Sequence, residues 1–275
     1  MILKKIKNNI FAPHKIIIKI YLFLEKRLLN TIYLLNGENK KTVSSQETLF
    51  KKNSLNRDDG LNLFNKILNE YKFLKKPMNS EHQVIFCSIA QLRSKKIKKI
   101  LEIGTFDGTN AFLLATLFPK AHITTLDLND ENEIFKTSYN RDSEEKRKIF
   151  INKRNNILLK KQNISFVQKN SLSLTLENNT FDLIWIDGSH GYPEVSIDVS
   201  NSLRMSHKNS YVLCDDIYID NIRNDKMYNS NAGYETIVSF SKAGIINFDL
   251  FYKRVDSYSN CIPRNRKFVA LIKLQ

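Results

Sequence analysis

Cysteine, proline and glycine are all scarce in this chain of 275 residues, at 3, 5 and 8 respectively. The three cysteines, Cys87, Cys214 and Cys261, sit far apart with no metal-type spacing, which excludes a disulfide scaffold or a zinc module. Cys87 and Cys214 lie in apolar surroundings, where a free thiol packs as a small hydrophobe. A reducing, cytoplasmic compartment fits that usage. With so little glycine and proline there is no low-complexity tract beyond a general Lys/Asn bias, and no internal repeat.

A long uncharged apolar run is missing as well. "HKIIIKIYLFLEKRLLNTIYLLN" (14 to 36) is hydrophobic, but Lys15, Lys19, Glu25, Lys26 and Arg27 interrupt it. A spanning helix needs about 20 nearly uncharged residues, and no small-residue cleavage site follows a clean apolar stretch. Ile17, Tyr21, Leu24, Leu28, Ile32 and Leu35 instead form a stripe at helical spacing, with Lys15, Lys19 and Lys26 on another side. That stripe is expected to pack on the domain or on a second copy of the chain. Peripheral contact with a membrane surface is the alternative.

What is abundant is positive charge: 43 Lys and Arg against 28 Asp and Glu, a formal net charge of +15. Such a balance suits nucleic acid or an anionic surface. The basic residues are spread over the whole chain, however, and Lys, Asn and Ile are enriched together, as codon bias in an AT-rich genome produces. A solvated basic surface is the simpler reading, and nucleic acid is not the expected partner.

Residues 1–58 read as a basic amphipathic helix followed by a linker, the polar segment 37–58, and residues 59–275 as one main domain. Helical patterns cover about 60–76 and 80–94. From residue 98 onward, short apolar strands alternate with helical stretches: "ILEIG", "HITTLDL", "ISFVQ", "FDLIWID" and "SYVLCDD". Alternation of this kind means βαβ units. The last two strands, "IINFDLFYKR" and "RKFVALIKL", are joined by a loop too short for a crossover helix. The expected fold is a Rossmann-like α/β/α sandwich, a mostly parallel seven-stranded sheet closed by a C-terminal antiparallel hairpin.

Glu102, Gly104 and Gly108 in "LEIGTFDGTNAFLLA" sit at the first strand-to-helix turn, where glycine lets backbone approach a ligand. Asp127 ends the second strand, 19 residues past Gly108, where a carboxylate can accept both ribose hydroxyls of an adenosine. The G-x-G-x-x-G fingerprint for a pyrophosphate is absent, and Glu102 stands where a phosphate would be repelled. S-adenosylmethionine, with its ammonium, sulfonium and ribose, suits the acidic turn better.

Together with "TTLDL" and "FDLIWIDGSHGYPEV…VLCDDI", that turn resembles the class I S-adenosylmethionine-dependent methyltransferases. The chain is most similar to a small-molecule O-methyltransferase branch whose fourth strand ends in D-G-x-H-x-Y, over about residues 80–275. The resemblance implies that Glu102 and Gly104 lie against the methionyl part, Asp127 on the ribose, and Asn170 and Ser171 near the adenine. One departure is the turn before the fifth strand, "SHKNS" (206 to 210), where the family has Pro-Gly-Gly.

Three carboxylates, Asp187 and the pair Asp215 and Asp216, then fall at neighbouring strand ends. Either some are protonated or a cation lies between them. Branch members that methylate macrolide sugars carry this set as a metal site. The resemblance therefore implies Mg²⁺, or another hard divalent ion, on Asp187, Asp215 and Asp216, with His190 as general base.

Blander readings stand beside these. His190 caps the helix that follows, Asp187 orients backbone amides, and the Asp pair is a solvated turn. His14, His82, His122 and His207 are read as structural. The expected activity is O-methylation of a hydroxyl on a sugar, glycoconjugate or other small molecule. A nucleic-acid methyltransferase and an inactive cofactor-binding protein are the alternatives. The acceptor pocket is expected from the N-terminal helices and the loop 217–234.

Overall fold

The computed structural model describes residues 13–76, 80–220, 230–261 and 266–275. Among the described residues, four α-helices precede the sheet: α1 (Pro13–Leu35), α2 (Glu38–Lys52), α3 (Arg57–Glu70) and α4 (Glu81–Arg93). Then follow β1 (Lys99–Ile103), α5 (Thr109–Leu117), β2 (His122–Asp127), α6 (Glu133–Thr137), α7 (Glu144–Leu158), β3 (Ile164–Gln168) and β4 (Leu183–Ile186). The chain ends with α8 (Glu194–Arg204), β5 (Tyr211–Ile217), α9 (Ala232–Lys242), β6 (Ile246–Tyr252) and β7 (Phe268–Leu274).

The seven strands form one sheet in the order β3-β2-β1-β4-β5-β7-β6, and all pair in parallel except β7, which runs antiparallel to both neighbours. This is the Rossmann-like fold expected from the alternation. Side chains leave a strand on alternate faces, and the core divides accordingly. Ile100, Leu183, Trp185 and Leu213 join α2 to α5 on one face. Leu101, Ile184, Ile186, Val212 and Cys214 join α8 and α9 on the other. The chain proceeds outward from β1 to β2 and β3, then returns to place β4 on the other side of β1. That reversal opens a crevice at the carboxyl ends of β1 and β4, where ligands bind in such sheets.

The expected linker 37–58 is not a loop, because most of it is α2. Thr42, Gln46 and Phe50, spaced four apart, form its buried face. Two of the three are polar, so no apolar period marks the helix. Gln46 is satisfied inside the protein, donating to Glu81 Oε2 at 3.2 Å and accepting the Tyr252 N–H at 2.9 Å. Arg57 makes a two-pronged bond to the same Glu81, 2.8 Å on each side. These buried polar contacts tie α2, α3, α4 and the end of β6 together, and paired charges of this kind break only at high cost.

Helix α1 meets the rest through Tyr33, which is buried and donates to the Val255 carbonyl at 2.9 Å. Ile20, Tyr21, Leu24, Leu28, Ile32 and Leu35 remain exposed. Among the described residues, no helix is long and apolar enough to cross a membrane.

The "SHKNS" turn is built on polar contacts. Ser210 Oγ donates to the Phe181 carbonyl at 2.7 Å, and His207 Nε2 lies 3.0 Å from Asp182 Oδ1. Asp182 also accepts the Lys98 and Lys99 amides at 2.7 and 2.9 Å. His207 is therefore structural, as expected.

Candidate active site

The first wall of the crevice grows out of β1. Glu102 pairs in register with Thr125 on β2 and Trp185 on β4, and none of it reaches solvent. It accepts from Thr125 Oγ1 at 2.5 Å and from Asn110 Nδ2, the second residue of α5, at 2.8 Å. Burial outweighs those bonds and pushes its carboxyl up to about 7. Asn110 Oδ1 is buried with no donor. Asn110 was not among the residues expected from the sequence, although its place in the first turn of the helix after β1 points it back at the strand end.

Gly104 does permit a close approach, but the partner in this structure is protein. Its φ is +99°, and a Cβ there would lie 2.2 Å from the Asp187 carbonyl oxygen. The ends of β1 and β4 can touch only at glycine. Gly108, with φ +75°, opens α5. Between them Phe106 holds a left-handed φ of 47°, uncommon for a bulky residue. It aims its N–H at Asp127 Oδ2, 2.9 Å away. The Leu128 amide bonds the other oxygen at 2.8 Å. Burial raises the Asp127 carboxyl above its ordinary value against those two bonds. Each oxygen keeps a lone pair for a further donor.

Asn170 and Ser171 stand just past β3. The Asn170 side chain accepts the Leu172 amide at 3.0 Å and starts a short 3₁₀ turn, Ser171–Leu176.

The second wall comes from β4 and β5. Asp187 leaves β4 with its N–H on the Ile103 carbonyl at 2.8 Å. Although 37% of its side chain is open, burial in the crevice and then the nearby Asp215 raise its carboxyl well above the ordinary range. His190 is 9% exposed, and its Nε2 lies 3.7 Å from Asp187 Oδ1 and 3.9 Å from Asp216 Oδ2. Burial lowers its basicity below that of an ordinary imidazole, against the pull of Asp216 and Asp215. It does not cap a helix: α8 starts after Pro193 and has no side-chain cap.

Asp215 and Asp216 are not a solvated turn, since Asp215 is 2% exposed. Consecutive strand residues should face opposite ways. Here the β5–β7 register slips between Cys214 and Ile217, and Asp216 takes a left-handed φ of 49°. That bulge brings both carboxylates to one ammonium group, Lys253 Nζ, which lies 2.5 Å from Asp215 Oδ2 and also bonds Asp216 Oδ1. Lys267 Nζ reaches Asp216 Oδ2 at 2.7 Å. Lys253 holds Asp216 far below the ordinary carboxylate range.

The two lysines come from the C-terminal hairpin, where Tyr252 pairs with Phe268 and so sets Lys253 opposite Lys267. The sequence reading missed them; the hairpin register was the available signal. His82 was read as structural. Its ring lies 4.7 Å from that of Trp185, and burial lowers its pKa to about 4. It remains a neutral wall of the cluster.

The residues present do not fit the Mg²⁺ expected on Asp187, Asp215 and Asp216. The charge of Asp215 and Asp216 is already matched by Lys253 and Lys267. Among the described residues, no group of three or more His, Cys, Asp or Glu side chains is arranged to hold a metal. Of the loop expected to build the acceptor pocket, residues 221–229 lie outside the described residues.

Residues 101–217 match the family model of a methyltransferase domain. That span holds every site residue named from the sequence and stops short of Lys253 and Lys267. Among solved structures, a Klebsiella pneumoniae protein described as an O-methyltransferase aligns at 15% identity and a TM-score of 0.50, over 78% of this chain and 90% of its own. The O-methyltransferase TomG from Streptomyces achromogenes, in complex with S-adenosylmethionine, aligns at 16% identity and 0.49, over 84% and 96%. A Bacillus cereus O-methyltransferase in complex with S-adenosylhomocysteine gives 16% and 0.49, over 83% and 96%. At 15% identity the likeness to the Klebsiella pneumoniae protein is one of fold. No curated protein matches the sequence.

Proposed function

We propose, for a chain whose residues 101–217 match the family model of a methyltransferase domain, that it transfers a methyl group from S-adenosylmethionine to a hydroxyl of a sugar or other small molecule. The observation that carries the reading is a buried imidazole, His190, flanked by Asp187 and Asp216 at the carboxyl end of β4. It lies across the switch point from Glu102 on β1 and Asp127 on β2, whose oxygens keep lone pairs for further donors.

Those acceptors suit S-adenosylmethionine. Glu102 and the orphaned Asn110 Oδ1 would take the N–H groups of its ammonium, and Asp127 would use its remaining lone pairs on the ribose hydroxyls. Asn170 and Ser171 would border the adenine. When bound, S-adenosylmethionine supplies an electrophilic methyl on a sulfonium sulfur.

An unactivated alcohol is a poor nucleophile until its proton is removed, and His190 does that at a ring nitrogen. The neutral ring can accept a proton near pH 7. The positive charge it gains lies within 4 Å of two carboxyl groups, Asp187 and Asp216. The name given to the Klebsiella pneumoniae protein agrees with oxygen as the methylated atom.

The test is transfer of labelled methyl from S-adenosylmethionine to a panel of hydroxylated compounds, sugars first. Label in a hydroxyl-bearing small molecule, lost in His190→Gln, is the expected result. Label entering RNA or DNA instead, or cofactor binding with no transfer to any hydroxyl, would overturn the reading.

A further inference from the structure

Lys253 is an unusual residue to find at the end of a methyl-transfer crevice. It is 8% exposed, and its ammonium bonds Asp215 and Asp216 together. Its backbone is held on both sides: the N–H donates to the Lys267 carbonyl at 2.9 Å, and the carbonyl accepts the Glu81 N–H at 2.9 Å. The side chain therefore leaves from a fixed point of the hairpin. Swinging it out would strand the buried Asp215 carboxylate without its cation.

We propose that Lys253 is the resident cation of this site: its ammonium takes the place that a divalent ion would fill between Asp215 and Asp216, and methyl transfer here needs no metal. The inference rests on the methyltransferase reading of the same crevice.

Three observations carry it. The first is charge. Two carboxylates meet two ammonium groups, Lys253 and Lys267, so a divalent ion would add an uncompensated double charge beside a sulfonium that is itself cationic. The second is backbone shape. The β5 bulge and the left-handed Asp216 turn both carboxylates onto Lys253. The third is what is left over. Among the described residues, Asp215 Oδ1 is the one oxygen of this carboxylate pair that is buried without a partner, so with both lysines in place the pair leaves a divalent ion a single direct ligand and water for the rest.

The chemistry balances without a metal. The acceptor oxygen forms the new C–O bond as the C–S bond breaks, the electron pair of that bond stays on sulfur, and the hydroxyl proton goes to His190. A divalent ion can grip two neighbouring oxygens of an acceptor. Lys253 has given two of its three N–H groups to Asp215 and Asp216, so a lone hydroxyl suffices and a chelating diol is not required.

Mn²⁺ provides the probe, read by electron paramagnetic resonance on the full chain with S-adenosylhomocysteine bound. The wild-type protein should leave the free Mn²⁺ signal unchanged. Lys253→Gln should bind Mn²⁺ more tightly by about 10–100-fold, the range over which outer partners tune metal affinity, and adding Asp215→Asn should remove the gain. Lys267→Met removes one of the two ammonium groups more gently, and it should give a smaller gain if Lys253→Gln does not fold.

Stoichiometric Mn²⁺ binding by the wild type, lost in Asp215→Asn, would overturn the proposal while leaving the methyltransferase reading intact. No gain in Lys253→Gln with S-adenosylhomocysteine still bound would overturn it too. Failure to bind S-adenosylhomocysteine at all would instead sink the reading on which it rests.

Discussion

Glu102 should make the protein less stable as the pH rises, and removing its charge should reverse that. Its carboxyl is pushed up to about 7 from an ordinary 4.5 because no part of it reaches water. Below about pH 4.5 the group is protonated in both folded and unfolded chains and has no effect on stability. Between 4.5 and 7 the unfolded chain ionises while the folded one does not, so the unfolded state gains and stability falls. Above 7 the loss is complete. A difference of about 2.5 pKa units corresponds to roughly 3 kcal/mol.

Glu102→Gln keeps the shape and can still accept from Asn110, but it has no charge to bury. Urea unfolding of both proteins at a series of pH values checks this. The mutant's advantage should be near zero at about pH 4 and grow to roughly 3 kcal/mol by about pH 8. The same change should weaken S-adenosylmethionine binding, since the carboxylate is the partner of the ammonium. A mutant advantage that stays flat across the range would mean that Glu102 ionises as an ordinary carboxylate, and the argument from burial would be wrong.

Two further outcomes are expected. His190→Gln should bind S-adenosylhomocysteine normally yet lose about 10²–10⁴ in turnover, the usual contribution of a general base; a mutant of near wild-type rate would assign the proton to another group. Gly104→Ala should fold poorly or not at all. Its Cβ would stand 2.2 Å from the Asp187 carbonyl oxygen at a φ of +99°, so a thermal melt matching the wild type would refute the close contact between the β1 and β4 ends.

The strands were legible because buried parallel strands are short apolar runs closed by polar turns, and "ILEIG", "LIWI" and "YVLC" are of that kind. Asp187, His190, Asp215 and Asp216 could be grouped before any coordinates, since residues at the carboxyl ends of β4 and β5 must meet. What the pattern could not reveal was long-range pairing. Lys253 and Lys267 reach the acidic pair only through the hairpin register and a bulge at Asp216. With them unseen, a metal was the natural way to balance three carboxylates. Helix α2 was hidden for a related reason. Two residues of its buried face, Thr42 and Gln46, are polar, and Gln46 is satisfied by groups far along the chain. Gly104 was expected to admit a ligand, and its close neighbour in this structure is the Asp187 backbone.

The measurement closest to the central claim is a calorimetric titration of S-adenosylmethionine into the wild-type protein and into Asp127→Ala. Asp127 sits at the end of β2 with both oxygens already oriented by backbone amides, so it is prepared to receive ribose hydroxyls without rearranging. The account predicts one bound molecule per chain, with affinity weakened in the mutant by about 1.5–3 kcal/mol, as expected for hydrogen bonds to a charged group. Equal affinity in the two proteins, or binding of NAD as tight as that of S-adenosylmethionine, would contradict it.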